Sequence, residues 1–182
     1  ILVVSGLALT FTLSGQEMAR AEMVHSQLEQ AALRAVETFI DDARIAGADQ
    51  MVPSYPTGSE LRVELLTVAG LNGDSGLYYQ ETPIIYALEA SPTEISGNGI
   101  DDDGDGIVDD LLLVRISHEG ERAIIARGVK GWDVATGTGD VGFSCRRVPN
   151  SNRLHVSLTM VRADRNRRNL EATYNTSVTM RN

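Results

Sequence analysis

ILVVSGLALTFTLSG, Ile1 to Gly15, carries no charged side chain and runs without a proline into QEMARAEMVHSQLEQAALRAVETFIDDARIAG, which ends at Gly47. From Glu17 onward, Val24, Leu28, Ala31, Ala32, Ala35, Phe39 and Ala43 recur at helical spacing, while Arg20, Glu29, Arg34, Glu37 and Asp41 fall largely elsewhere around the axis. The pattern predicts one long helix over residues 1–47, apolar all round at its start and one-sided thereafter. At 1.5 Å per residue such a rod would span about 70 Å, twice the width of a compact small domain. Its first half, residues 1–23, therefore needs cover from a bilayer or from other copies, and its second half belongs to a globular head over 24–182. Gly47 is placed to stop the helix, with Pro53 and Pro56 following.

Ile1 to Ser14 is shorter than the 18 or more apolar residues of a complete spanning helix. Ala19-Arg20-Ala21 mimics a signal cleavage site, but the helical pattern continues straight through it, which argues against cleavage there. Burying the residues Ile1 to Ser14 would contribute on the order of 10 to 20 kcal/mol before ordering costs, at about 25 cal/mol per Å².

After Gly58 the pattern changes to short alternating runs. Glu60 to Val68, Ile84 to Glu89, Leu111 to Ser117 and Ala123 to Val129 read as strands, and Leu154 to Arg162 with Ala172 to Arg181 as a hairpin around Ala163 to Asn169. One helix followed by many strands predicts α+β, with an antiparallel sheet on the second half of the helix.

The 182 residues need only one domain, and the net charge of −9 argues against nucleic acid as a partner. Most of that charge sits in one place, NGIDDDGDGIVDD, Asn98 to Asp110, which holds six aspartates. Asp101, Asp103 and Asp105 followed by Gly106 form the first half of a calcium loop, in which a tight turn aims alternate carboxylates inward. Ile107 would offer its backbone carbonyl while its side chain packs down, and Asp109 falls at the ninth position. Leu112 stands at the twelfth position in place of a bidentate glutamate, so closure would fall to Asp109, Asp110 or another acid. Hard oxygen donors select Ca²⁺ as a structural staple; a solvated acidic turn is the alternative. The loop resembles the aspartate-rich repeats of thrombospondin type 3 and dockerin-like segments more than an EF-hand, because strands flank it.

No enzyme constellation is expected. Gly73-Asp74-Ser75-Gly76 spells a protease-like GDSG, but His25, His118 and His155 carry no matching signature, so a turn over Leu71 to Leu77 is the simpler account. The single cysteine, Cys145, excludes a disulfide framework and reads as a small buried residue; Trp132 reads as packing. Arg162, Arg165, Arg167 and Arg168 form a basic hairpin tip, by default solvated; the functional alternatives are a contact to the acidic loop or termini of a neighbouring subunit, which the acidic chain favours, or to DNA or another polyanion.

Several pieces, in order along most of the chain, resemble one superfamily. They are the apolar start, the helix end AALRAVETFIDDARIAGAD, the late strand RAIIARGVKGWDVATG and the final NTSVTMRN. The sequence is similar to type IV pilins and pseudopilins, most of all to W-type minor pilins and J-type pseudopilins of type II secretion. The resemblance implies a precursor inserted in the inner membrane, trimmed by a prepilin peptidase, and packed helix-first with itself or other pilins into a cell-surface or periplasmic filament. It places Ile1, Leu2, Val3, Val4, Leu7, Leu9, Phe11 and Leu13 in the filament core. One departure is that the family's mature chain starts with an N-methylated aromatic residue and has a glutamate near the fifth position, whereas Ile1 is aliphatic and Glu17 is the first acid. ILVVSG resembles the family's stretch just after that glutamate, so a few residues are expected before Ile1. The competing expectation is a secreted or tethered calcium-dependent binding module.

Overall fold

The computed structural model describes residues 2–52, 62–72, 76–95, 98–131, 142–164 and 168–180, with the backbone alone at 2–14, 48–50 and 72. Helix α1 runs Leu2–Ile45. Residues Gly15 to Arg20 are exposed, and among the described side chains of α1 the first buried one is Leu28. From there Leu28, Ala32, Ala35, Val36, Phe39, Ile40 and Ala43 are buried, with Val24 and Ala31 partly so. The spacing of three and four residues keeps them on one face. Among the described residues, no helix is long and apolar enough to cross a membrane. Ile1 and the side chains of Leu2, Val3, Val4, Leu7, Leu9, Phe11 and Leu13 lie outside the described residues.

Nine strands follow among the described residues: β1 (Ala46–Val52), β2 (Arg62–Asn72), β3 (Gly76–Tyr79), β4 (Ile84–Ala90), β5 (Leu111–Ile116), β6 (Arg122–Val129), β7 (Phe143–Arg147), β8 (Arg153–Ala163) and β9 (Asn169–Thr179). They form one antiparallel sheet in the order β1-β2-β4-β5-β6-β8-β7, with β3 added to β2 and β9 to β8. The fold is thus α+β, a single N-terminal helix on a large antiparallel sheet. The expected hairpin is β8–β9, in register from Arg153↔Thr179 to Ala163↔Asn169, and α1 lies chiefly across these two strands. Small side chains at Ala32, Ala35 and Ala43 permit that close approach.

Alternation along β8 sends Leu154, Val156, Leu158 and Met160 to the helix. Phe39 sits at the centre, edge to face with Tyr86 at 4.8 Å and with Phe143 at 5.5 Å between ring centroids. Cys145, on β7, is buried as expected. Behind the sheet, Ile107, Leu112 and Val161 are buried outside this main cluster. The side chain of Ile107 does pack down, as the loop motif predicted.

Three strands, β1, β3 and β7, are not legible from the alternating pattern. β1 starts directly after α1, so Gly47 does not stop the helix; it lies buried within β1 under Tyr79, whose Oη would be 2.6 Å from a Cβ placed there. A side chain there would have to displace the Tyr79 ring, a contact that the local sequence does not encode. β3 pairs Leu71 with Leu77 and Asn72 with Gly76, so the segment expected as a turn closes a hairpin; its 73–75 link lies outside the described residues. Trp132, Pro53 and Pro56 also lie outside them.

Candidate metal centre

The loop between β4 and β5 is shaped by its own aspartates. Asp101 accepts the Gly104 amide at 2.7 Å and the Gly106 amide at 3.0 Å, Asp103 accepts Asp105 N at 3.1 Å, and Asp105 accepts Ile107 N at 2.8 Å. Gly104 and Gly106 take φ of +76° and +93°, which the tight turn requires. The motif therefore folds as a compact turn of inward carboxylates.

Two groups of carboxylate oxygens converge, each within 4.8 Å: Asp103, Asp105 and Asp110, and Glu94, Asp101 and Asp103. Oxygens bound to one calcium at about 2.4 Å lie within about 5 Å of each other, so the spacing suits such an ion. Asp110 is the decisive member. It is 4% exposed, the Gly128 amide donates to its carboxylate, and its Oδ1 has no hydrogen-bond partner. A buried carboxylate oxygen without a donor carries an unmet desolvation cost. Burial first, then the charges of Asp105, Asp103 and Glu94, push the Asp110 carboxyl up to about 6. Burial is also the leading cause that raises Asp105, and Asp103 and Asp101 add to it. A bound cation would relieve both effects. These clustered acids, of which Glu94 and Asp110 are buried, could hold a metal ion.

Asp109, expected as a ligand, is engaged with the backbone. Its carboxylate accepts the amides of Asn98 at 3.1 Å and Gly99 at 2.9 Å, closing the loop's entry against its exit, with φ at +55°. It joins neither group of converging carboxylates. Glu94, which the motif does not point to, is buried and accepts Asp109 N at 2.8 Å and Asp102 N at 3.2 Å. It precedes the acidic run and carries no spacing signal, so only the fold reveals it.

The basic tip is only partly described. Arg162 is exposed, with Nη1 at 3.4 Å from Gln27 Oε1 on α1. Asp164 and Arg168 close the turn through Asp164 N to Arg168 O and Arg168 N to Asp164 Oδ1, both at 2.9 Å. Arg165 and Arg167 lie outside the described residues. The chain's own acidic loop stands beside this turn, since a Cβ at Gly106 would meet Ala163 Cβ at 2.8 Å.

His25 lies 3.4 Å from Glu29 and His118 3.9 Å from Glu119, while His155 is on an exposed position of β8. Among the described residues, none of the three joins a potential metal group. No family model, curated protein or solved structure matches the chain.

Proposed function

We propose that this chain is a non-catalytic structural subunit of a type IV pilus-like or type II secretion filament, with a pilin-like fold and a loop stapled by Ca²⁺. The observation that carries the reading is the unequal use of α1. The helix extends from Leu2, yet among its described side chains, which start at Gly15, the first buried one is Leu28, so about 20 Å of described helix precedes the part seated on the sheet. A helix this long with an uncharged start needs cover, first from the inner membrane and then from identical or related helices in a periplasmic or cell-surface polymer. The resemblance of the helix end and the final strand to pilins supports the same use. For the ion, an all-oxygen donor set favours Ca²⁺ over transition metals.

Electron microscopy of cells expressing the chain with a filament-assembly system tests the proposal. Filaments containing the protein, lost on Leu7→Asp or Leu9→Asp, are the expected result. A monodisperse monomer under the same conditions would overturn it and favour a calcium-dependent binding module. For that second reading, the relevant feature is the exposed apolar trio Ile95, Ile100 and Val108 around the acidic loop.

A further inference from the structure

A split opens between β6 and β8 beyond Gly128, which lies against the Val161 carbonyl; on the other side of the junction Lys130 N donates to Thr159 O at 3.0 Å. Among the described residues, the bridge pair joining these strands is Val129 with Met160 alone. Ile124 to Gly128 of β6 line a cavity of about 620 Å³, together with Leu28 and Ala31 of α1 and with Asp103, Asp105 and Asp110. The acidic loop touches both sides of the split. Asp110, at its end, receives the Gly128 amide of β6, and Gly106, near its tip, abuts Ala163 at the end of β8.

We propose that one divalent cation, seated by Asp103, Asp105 and Asp110, is a clasp that holds the acidic loop across this split and ties β6 to β8 beyond their single bridge pair. The proposal rests on the calcium reading and adds to it which groups hold the ion and what the ion fastens. The orphaned Oδ1 of Asp110 supplies an acceptor that the protein itself leaves unsatisfied. Its other anchor is β6, whereas Asp103 and Asp105 belong to the loop segment that reaches β8, so an ion shared by the three joins the two strands through the loop. Gly128 makes the arrangement possible. With φ at +68° it sits in a bulge between the Leu111–Val129 and Leu113–Ala126 pairs, and its amide meets Asp110. Asp109 stands outside the clasp, with its carboxylate on the amides of Asn98 and Gly99.

Calcium titration calorimetry on the full chain, with amide hydrogen exchange in calcium and in chelator, tests the clasp. The native protein is expected to bind calcium, and exchange at Ile124 to Gly128 to slow about tenfold or more when it does. Asp110→Asn should weaken binding about tenfold or more and abolish the slowing, because a neutral amide is a poorer ligand for a hard cation. Asp103→Asn, at an exposed loop position, should do the same and serves if Asp110→Asn fails to fold. Asp109→Asn should keep the calcium affinity within about threefold while lowering the thermal midpoint. Native calcium affinity with slowed exchange in both Asp110→Asn and Asp103→Asn would overturn the clasp while leaving the calcium reading intact. Absence of any calcium binding by the native protein would overturn both.

Discussion

Arg115 of β5 grips Asp42 of α1 with two guanidinium hydrogen bonds, Nε to Oδ2 at 2.7 Å and Nη2 to Oδ1 at 3.2 Å. The same carboxylate accepts the hydroxyl of Tyr86, which also donates to the Thr38 carbonyl at 3.2 Å. Burial first, and then the Asp42 carboxylate, hold the Tyr86 phenol protonated far above its ordinary range. One acid on the helix thus orders two sheet residues, from β4 and β5, and fixes the helix against sliding along the sheet.

Asp42→Ala should therefore cost about 2 to 3 kcal/mol, because it strands a half-buried guanidinium and a buried hydroxyl. Tyr86→Phe should cost about 1 kcal/mol, the net value of a single hydrogen bond. Urea denaturation measures both, and a double-mutant cycle between Asp42 and Arg115 should show coupling. Additivity of the two changes would mean that the pair does not act as a unit.

Phe39 is fully buried and touches Tyr86 and Phe143, edge to face. Phe39→Ala should lose about 3 to 5 kcal/mol through lost burial and the cavity left behind. Phe39→Leu should lose less, since it keeps much of the volume. Equal losses for the two would show that the site collapses freely after truncation.

Gly128 takes φ +68°, and a Cβ there would stand 2.7 Å from the Val161 carbonyl oxygen. That neighbour is backbone, so Gly128→Ala should destabilise by about 1 to 3 kcal/mol in chemical denaturation. Because the Gly128 amide also holds Asp110, the variant should bind calcium more weakly. Gly120→Ala shares the positive φ but has open space around its Cβ, and should destabilise less and leave calcium binding unchanged.

The Asp110 carboxyl is raised to about 6 from an ordinary value of 3.8. Between those values the folded chain holds more protons at this group than the unfolded chain, so its contribution to stability falls as pH rises through the window and stays low above it. Without calcium, the native protein should thus lose stability relative to Asp110→Asn as pH is raised from about 4 to about 7. Thermal midpoints of the two in chelator, across that range, check the sign. A constant difference would show that the carboxylate is not penalised by its surroundings.

Much of the architecture is legible in the sequence because it follows local periodicity. The stripe from Val24 to Ala43 marks the packed face of α1, and alternation marks β4, β5, β6, β8 and β9 to within a few residues. β1, AGADQMV, has no alternation to betray it and takes its conformation from pairing with β2, so the local pattern points to a helix stop at Gly47 and gives no sign of the strand there. β3 and β7 are four and five residues long, too short for periodicity to outweigh neighbouring glycines. In the site, the D-x-D-x-D-G spacing locates the loop, while the tasks of its acids stay hidden. Asp109 and Asp110 are adjacent in sequence, yet one closes the loop on backbone amides and the other points a bare oxygen among carboxylates.

By itself, the sequence determined that the chain would form one long helix with a sheet on its second half, and that six aspartates would crowd one turn. Hydrophobic period, chain stiffness and turn chemistry act over a few residues, and they suffice for that. Tertiary structure alone decided that Glu94 comes up beneath the loop, that Asp42 meets Arg115 and Tyr86, and that β6 and β8 share a single bridge pair, Val129 with Met160. These depend on which distant groups share a buried volume. Desolvation and pairing energies there are set by neighbours that no local pattern names.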